Sequence, residues 1–454
     1  MQMTMLLKYF FLTCLIAHSA CQSIPQATVK QGILLQDVTL IDGNGQPPKE
    51  HMDILLQGDS IAQIGQHLDT TGVTIFHLSG KTVMPALISA HVHVGTLKGK
   101  DNSGDFYLRD NIIRHLKKYQ DYGILQVLVM GTDRPMLFES GLADSSLNGL
   151  APGARLHSAG YGFGVTGGVP PPSNGMDFVK RPATPAEAAH EVDLLAKLPV
   201  KTIKMWVDNM GPDKPKMDTA VYHALIAAAH RNGMKAAAHL FYIADARQLA
   251  KDGIDIIAHS IRDQEADDTL ISLLKRNDII YIPTLALDKF AYAYGDIPSW
   301  LNTPYFKKSL EPEAYEFITS PKYKDGIRNN PNYPAKVKAF ETALKNACKL
   351  HKAGVLVALG TDSGASPART QGFSEHMELI LLVEAGLTPL EAITVGTKNA
   401  AKALRVDEEY GTIEIGKKAD LLILNDNPAQ KIENTQSIYR VYKAGEEVSK
   451  GPLE

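Results

Sequence analysis

At 454 residues the chain exceeds what one hydrophobic core usually serves, so a large domain with a smaller companion is expected. Its 44% hydrophobic and 21% charged residues, with a formal net charge of -3, are those of an ordinary globular protein. That balance carries no basic stripe and speaks against a nucleic-acid partner.

The first 21 residues read as an export signal. The run from Leu6 to Ala17 is too short to span a bilayer comfortably and gives way to Ser19-Ala20-Cys21 and a polar stretch. Lys8 is the one charge in that leader, and initiation at Met5 would give a more usual arrangement. Cys21, after His18-Ser19-Ala20, resembles the lipidated cysteine of bacterial lipoproteins, although His18 stands where Leu is usual. The expected location is exported: periplasmic, secreted or anchored through a lipid on Cys21 in a bacterial envelope. With Cys14, Cys21 and Cys348 as the three cysteines, no disulfide framework is implied. No later segment is long and apolar enough for a transmembrane helix.

Residues 28–84 read as short strands broken by turns, as in Val38-Thr39-Leu40-Ile41 before Asp42-Gly43-Asn44-Gly45. Residues 405–454 repeat that texture in Leu421-Leu422-Ile423-Leu424 and Tyr439-Arg440-Val441-Tyr442. The two ends are expected to build one small β-sandwich. Between them, residues 85–404 alternate strand with helix. Strands are predicted at Thr82–Ile88, Leu125–Met130, Ala154–Ser158, Thr202–Val207, Lys235–His239, Ile254–His259, Ile279–Thr284 and Val355–Gly360. Thr184-Pro185-Ala186-Glu187 and Thr388-Pro389-Leu390-Glu391 are capping boxes that open helices. The alternation predicts an α/β fold, a (β/α)₈ TIM barrel. The connection from Leu285 to about Tyr333 is out of proportion, as an active-site lid or an oligomer surface would be. The loop Tyr161-Gly162-Phe163-Gly164 is expected to border the pocket, with Tyr161 a candidate substrate contact. No helix N-terminus with a lysine follows it, so it is not a phosphate loop.

Chemistry enters where ionisable residues meet those strands. His91 and His93 end the first strand, and residues i and i+2 of a strand point to one side, where both imidazoles can reach one ion. Lys204 lies in the fourth strand, His239 ends the fifth, His259 the sixth, and Asp362 follows the eighth. Singly, each has an ordinary explanation: a satisfied structural histidine, a snorkelling lysine, a turn aspartate. Together they all fall at or near the C-terminal ends of predicted strands, the face where barrel enzymes keep their sites.

From about Val29 onward the chain resembles the amidohydrolase superfamily. Met84-Pro85-Ala86-Leu87-Ile88-Ser89-Ala90-His91-Val92-His93 looks like its first metal motif, and Val357-Ala358-Leu359-Gly360-Thr361-Asp362 is similar to its last. Asn399-Ala400-Ala401-Lys402-Ala403-Leu404, with Gly411-Thr412-Ile413-Glu414-Ile415-Gly416-Lys417-Lys418-Ala419-Asp420, matches its C-terminal signature. Ala86 and Ser89 depart from the usual Gly and Asp or Asn, so the groups supporting the first histidines are expected to differ. The resemblance implies two divalent ions, zinc foremost: His91, His93 and Asp362 on one, His239 and His259 on the other. It also implies that Lys204 bridges them as a carbamate formed with carbon dioxide. A buried lysine is readily neutral and so able to make that adduct. A water between two cations would be the nucleophile, with Asp362 as general base and then acid.

Within the superfamily, Thr202-Ile203-Lys204 and Ile257-Ala258-His259 look most like the imidazolonepropionase-related group, which includes Xaa-Pro dipeptidases. That implies a small-molecule amide substrate carrying a carboxylate, for which Arg134 and Arg262 are candidate clamps. Rival readings are a lactonase, phosphotriesterase or cyclic amidine (imidazolone) hydrolase on the same site, and, more remotely, a metal-free scaffold. Homo-oligomers are expected.

Overall fold

The computed structural model describes residues 32–209 and 213–454; the leader, Cys14 and Cys21 lie outside them. Among the described residues, strands from both ends of the chain join in one eight-stranded sheet. It runs Glu446–Ser449, Ile438–Lys443, Leu421–Leu424, Thr82–Pro85, Gly32–Leu40, Lys49–Gln57, Ser60–Gly65, with Val73–His77 parallel to Gly32–Leu40. The strands expected as a sandwich are thus linked edge to edge. Leu35, Val38, Ile54, Leu56, Ile61 and Ile423 form its core. Arg155 pairs with Asp420 inside the protein, and Lys443 Nζ donates to the Gly153 carbonyl at 2.7 Å, tying this sheet to the larger body.

The larger body is built from parallel strands. Arg155–Ser158, Ile124–Val129 and Leu87–Val92 make one sheet; Thr202–Trp206, Lys235–His239, Ile256–Ala258 and Ile280–Ile282 make another. Most of these strands are buried along their whole length, as sheets covered by helices on the outer side require. Single backbone bridges connect the two sheets. Phe163, in the glycine-rich loop, pairs with Met205, and Val357 pairs with Tyr281. Ala90 then donates to Leu359 at 2.7 Å and Thr361 to His91 at 3.0 Å.

Two predicted strands differ. Thr82–Ile88 is divided at Ala86: Thr82–Pro85 pairs antiparallel with Leu421–Leu424, and Leu87–Val92 then turns into the parallel sheet. The change follows from where the donors go, since Ala86 N–H bonds Asp420 and Leu87 N–H bonds Gly123. Val355–Gly360 is not a continuous strand; it carries the bridge at Val357 and irregular bonds beyond it. The residues facing inward interdigitate as a second core of Ile88, Ala90, Leu128, Ala237, Ile256 and Ala358, which Ala400–Leu404 packs against. Thr388 forms the full capping box, accepting from Glu391 N–H while Glu391 accepts from Thr388 N–H. Thr184 accepts from Glu187 N–H, but the Glu187 carboxylate takes the Ala183 N–H, so that predicted box is only half formed.

Gly360 is where the irregular segment passes His91. A Cβ there would lie 2.5 Å from Ile282 Cγ2 and 2.7 Å from His91 Cβ. Gly360→Ala is therefore expected to destabilise the fold by about 1–3 kcal/mol, read as a lower urea midpoint at unchanged slope.

Candidate active site

Regular alternation would not bring the six predicted residues together; local irregularities do. Ile88 and Ala90 face the inner core while Val92 and Val94 join the outer one, because the pairing slips between Ser89 and Val92. A bulge of this kind re-aims side chains, and here it turns His91 and His93 inward. In the sixth strand Ile256 is inward and Ile257 outward, so a regular continuation would send His259 outward. Its backbone φ of 94° reverses that, and Asp362 likewise sits at φ 59°. Non-glycine residues in this region carry strain of about 1–3 kcal/mol, a signature of functional positions.

The result is one buried cluster. The ring centroids of His91 and His259 are 4.6 Å apart, and those of His239 and His259 4.3 Å. Asp362 Oδ1 lies 2.8 Å from His93 Nε2 and 3.3 Å from His91 Nε2. His91, His93 and Asp362 present ligand atoms all within 4.8 Å of one another, a group that can hold a metal ion. Lys204 is fully buried and electrostatically coupled to His91, His239, His259 and Asp362.

The protonation states suit ligation. Burial, aided by Lys204, pushes His91 down to about 3. Burial also lowers His239 and holds His259 well below the usual histidine range. Neutral imidazole is the form that binds metal. Burial brings Lys204 down to about 7 against the pull of Asp362 and Asp208. For Asp362, burial pushes up, but Arg369, His91 and His93 outweigh it and keep the carboxyl well below its ordinary value.

A divalent ion fits these residues. Lys204 Nζ, His91 Nδ1 and His239 Nδ1 are buried without a hydrogen bond, a costly condition that ligation or a modified lysine relieves. Nitrogen donors mixed with carboxylate oxygen suit zinc. Two rings have their far nitrogen fixed: His93 Nδ1 to Thr132 Oγ1 at 2.8 Å and His259 Nδ1 to Thr284 Oγ1 at 2.9 Å.

The candidate substrate contacts fare differently. Arg134 pairs with Asp177, and Arg262 is buried against Asp288 at 2.7 Å while donating to the Leu240 and Ser260 carbonyls. Tyr161 packs on Phe138 and Phe178. None of the three lines the cavity over the histidines. That cavity, of about 1000 Å³, is instead bordered by Arg369, Lys100, Lys322 and Lys336. Arg369 pairs directly with Asp362. Its position in the loop leaving Asp362, on the same face as the ligands, was the signal that could have singled it out. Asp208, just past the Lys204 strand and 3.4 Å from His239 Nε2, was missed for want of any motif. The long insertion supplies one wall, through residues such as Leu287, Phe290, Phe317 and Tyr323 on its short helices.

An α/β protein with a His-His-Asp group and two further buried histidines at the C-terminal ends of parallel strands is the class these features define. Residues 82–448 match the model of the amidohydrolase family, and the chain belongs to that family. It is 23% identical over 418 residues to a 5-methylthioadenosine/S-adenosylhomocysteine deaminase of Caldanaerobacter subterraneus subsp. tengcongensis, covering 87% of this chain and 85% of that one. A stretch of 84 residues, 18% of this chain, is 42% identical to an imidazolonepropionase of a Geobacillus species. That match spans 20% of the relative's own length, and one to the Shouchella clausii deaminase spans 30%. Among solved structures, a Xaa-Pro dipeptidase with bound methionine superposes with a TM-score of 0.73 at 24% identity, over 92% of this chain and 99% of the other. A putative prolidase from Bifidobacterium longum gives 0.74 at 23%, over 94% and 97%. These likenesses describe the fold.

Thr132→Val removes the partner of His93 with little change of shape. Zinc retained after dialysis is expected to show about 10–100-fold weaker binding, with thermal unfolding nearly unchanged.

Proposed function

We propose that this protein is a binuclear metal-dependent hydrolase of amide C–N bonds. Its seven parallel strands and residues 355–361 are read as one closed (β/α)₈ barrel. The carrying observation is the convergence of four buried imidazoles, one ionised carboxylate and one lysine nitrogen without a hydrogen bond. His91, His93 and Asp362 would hold one ion, His239 and His259 the other. Lys204, as the neutral amine, would add to carbon dioxide, forming an N–C bond and releasing a proton, to give a carbamate reaching both. Two such cations, zinc foremost, would supply acidity to a water and polarise the substrate carbonyl.

The protein's own groups do the rest. Asp362, held low, takes a proton from the attacking water as the water oxygen bonds the acyl carbon. It returns that proton to the leaving nitrogen as the C–N bond breaks, so no covalent enzyme intermediate forms. Trp206, Phe290, Phe317 and Tyr323 give the cavity apolar walls that exclude bulk water. Asp362 is the one acidic residue among its lining, against four cations. This supports a substrate with a carboxylate and an apolar acyl group, such as an N-acyl amino acid or dipeptide. Arg369 takes the clamping role first considered for Arg134 and Arg262. The similarity to a dipeptidase structure that binds an amino acid agrees with this reading. A cyclic amidine substrate is the second reading, favoured by the full-length similarity to a deaminase. The apolar leader sequence ending at Cys21 supports a location outside the cytoplasm.

Rates on N-acyl amino acids and dipeptides, compared with lactones, organophosphates and cyclic amidines, test the substrate class; faster turnover of any of the latter overturns the amide assignment. Chelation should abolish activity and zinc restore it. Asp362→Asn is expected to lower kcat by about 10²–10⁴-fold. Arg369→Met should raise KM for carboxylate substrates about 10–100-fold, the worth of a charge-assisted hydrogen bond, and affect their methyl esters far less.

A further inference from the structure

The cluster is held in shape by one helix that contributes no ligand to it. Phe373–Glu384 is a twelve-residue helix whose first turns are buried throughout, and two glutamates on it, Glu375 and Glu378, are 0% exposed. Three residues apart, they share a face. Among the described residues neither pairs with a lysine, arginine or histidine. Burying a carboxylate without a cation is expensive, and burial pushes these two up, to about 7 and about 8. Packing alone does not account for them, because an apolar side chain such as leucine would fill the same space at lower cost.

Their hydrogen bonds show what they hold. Glu375 Oε1 accepts from Thr361 Oγ1 at 2.6 Å, Ser363 Oγ at 2.8 Å and Ser89 Oγ at 3.3 Å, and Oε2 accepts from Gly372 N–H at 2.8 Å. Thr361 and Ser363 flank Asp362, and Ser89 stands at the slip that turns His91 and His93 inward. One carboxylate therefore links the two segments whose side chains form the His-His-Asp group. Glu378 accepts from Leu285 N–H at 2.8 Å and Ala286 N–H at 2.7 Å. This caps the helix Leu285–Ala293 and fixes Thr284 at φ 51°, from which its hydroxyl meets His259 Nδ1. The same helix thus reaches the second histidine group by way of Thr284.

We propose that Glu375 and Glu378 are positioning residues that set the two halves of the site separately, Glu375 the His91, His93 and Asp362 group, Glu378 the orientation of His259. A glutamine cannot replace either: its amide would turn a donor toward donors, Gly372 N–H at one position and a helix N-terminus at the other. Ser89 belongs to the same arrangement through its hydroxyl, which donates to Glu375.

The proposal deepens the metal-site reading but is tested apart from it. The full chain is labelled with ¹⁵N-histidine, and ring-nitrogen shifts are recorded in chelator-treated wild type, Glu375→Gln and Glu378→Gln, followed by zinc titration. Glu375→Gln should move the His91 and His93 signals and spare His259; Glu378→Gln should do the reverse. Each should weaken zinc binding about 10–100-fold, with partial recovery in Glu375→Asp. Ser89→Ala leaves the buried carboxylate and its other three bonds in place and should move His91 and His93 less, in the same direction, even if a glutamine variant fails to fold. Ring shifts unchanged in every folded variant overturn the positioning roles. A wild type that takes up no zinc overturns the metal reading, while the ring shifts of the metal-free protein still decide the positioning.

Discussion

An ammonium group taken wholly out of water loses several kcal/mol of hydration unless something replaces it. Lys204 is in that situation: its nitrogen is buried without a hydrogen bond, 5.3 Å from the centre of the Trp206 ring, and feels the charges of Asp362 and Asp208. The rest of the site follows from this constraint. The amine is driven toward its neutral form and the imidazoles beside it are kept neutral, while the carboxylate that remains charged is the one held by Arg369. A set of lone pairs turned toward one another and spared their protons is a ligand set. A core built for stability alone would have filled the place with hydrocarbon.

Aiming those groups takes backbone that departs from regularity, and departures need support. The slip after Ser89 and the positive φ of His259, Thr284 and Asp362 lie in four segments that carry or touch the histidines. Each is secured from outside the cluster: Gly360 leaves room for His91, and Glu375 and Glu378 gather the hydroxyls and N–H groups of the surrounding turns. Strain at the site is thereby balanced by hydrogen bonds one layer back, which is how a preorganised site differs from a loose one.

The walls above the cluster come from elsewhere in the chain. The insertion after Ile280–Ile282 is anchored by an aromatic chain, Phe290 on Trp300, Trp300 on Phe306 and Phe306 on Phe373, at 4.8–5.6 Å between ring centroids. Phe373 begins the helix that carries Glu375 and Glu378, so cavity wall and histidine cluster share one foundation.

The sequence by itself determined the parallel α/β framework and the residues at its strand ends, because hydrophobic period, capping boxes and imidazole placement are local properties written in order along the chain. It also marked the insertion, through its length alone. Tertiary structure decided what depends on distance between segments far apart in sequence. The division of the first strand at Ala86, the reduction of Val355–Gly360 to a bridge, and the inward turn of His91, His93 and His259 all depend on where neighbouring backbone finds its hydrogen bonds. So does the fate of the arginines: Arg134 and Arg262 stand near candidate strand ends in sequence, but their partners come from elsewhere, Asp177 from a later turn and Asp288 from the helix Leu285–Ala293, whereas Arg369 is brought to Asp362. A side chain's type says what it can bind; which partner reaches it first is settled only when the chain is packed.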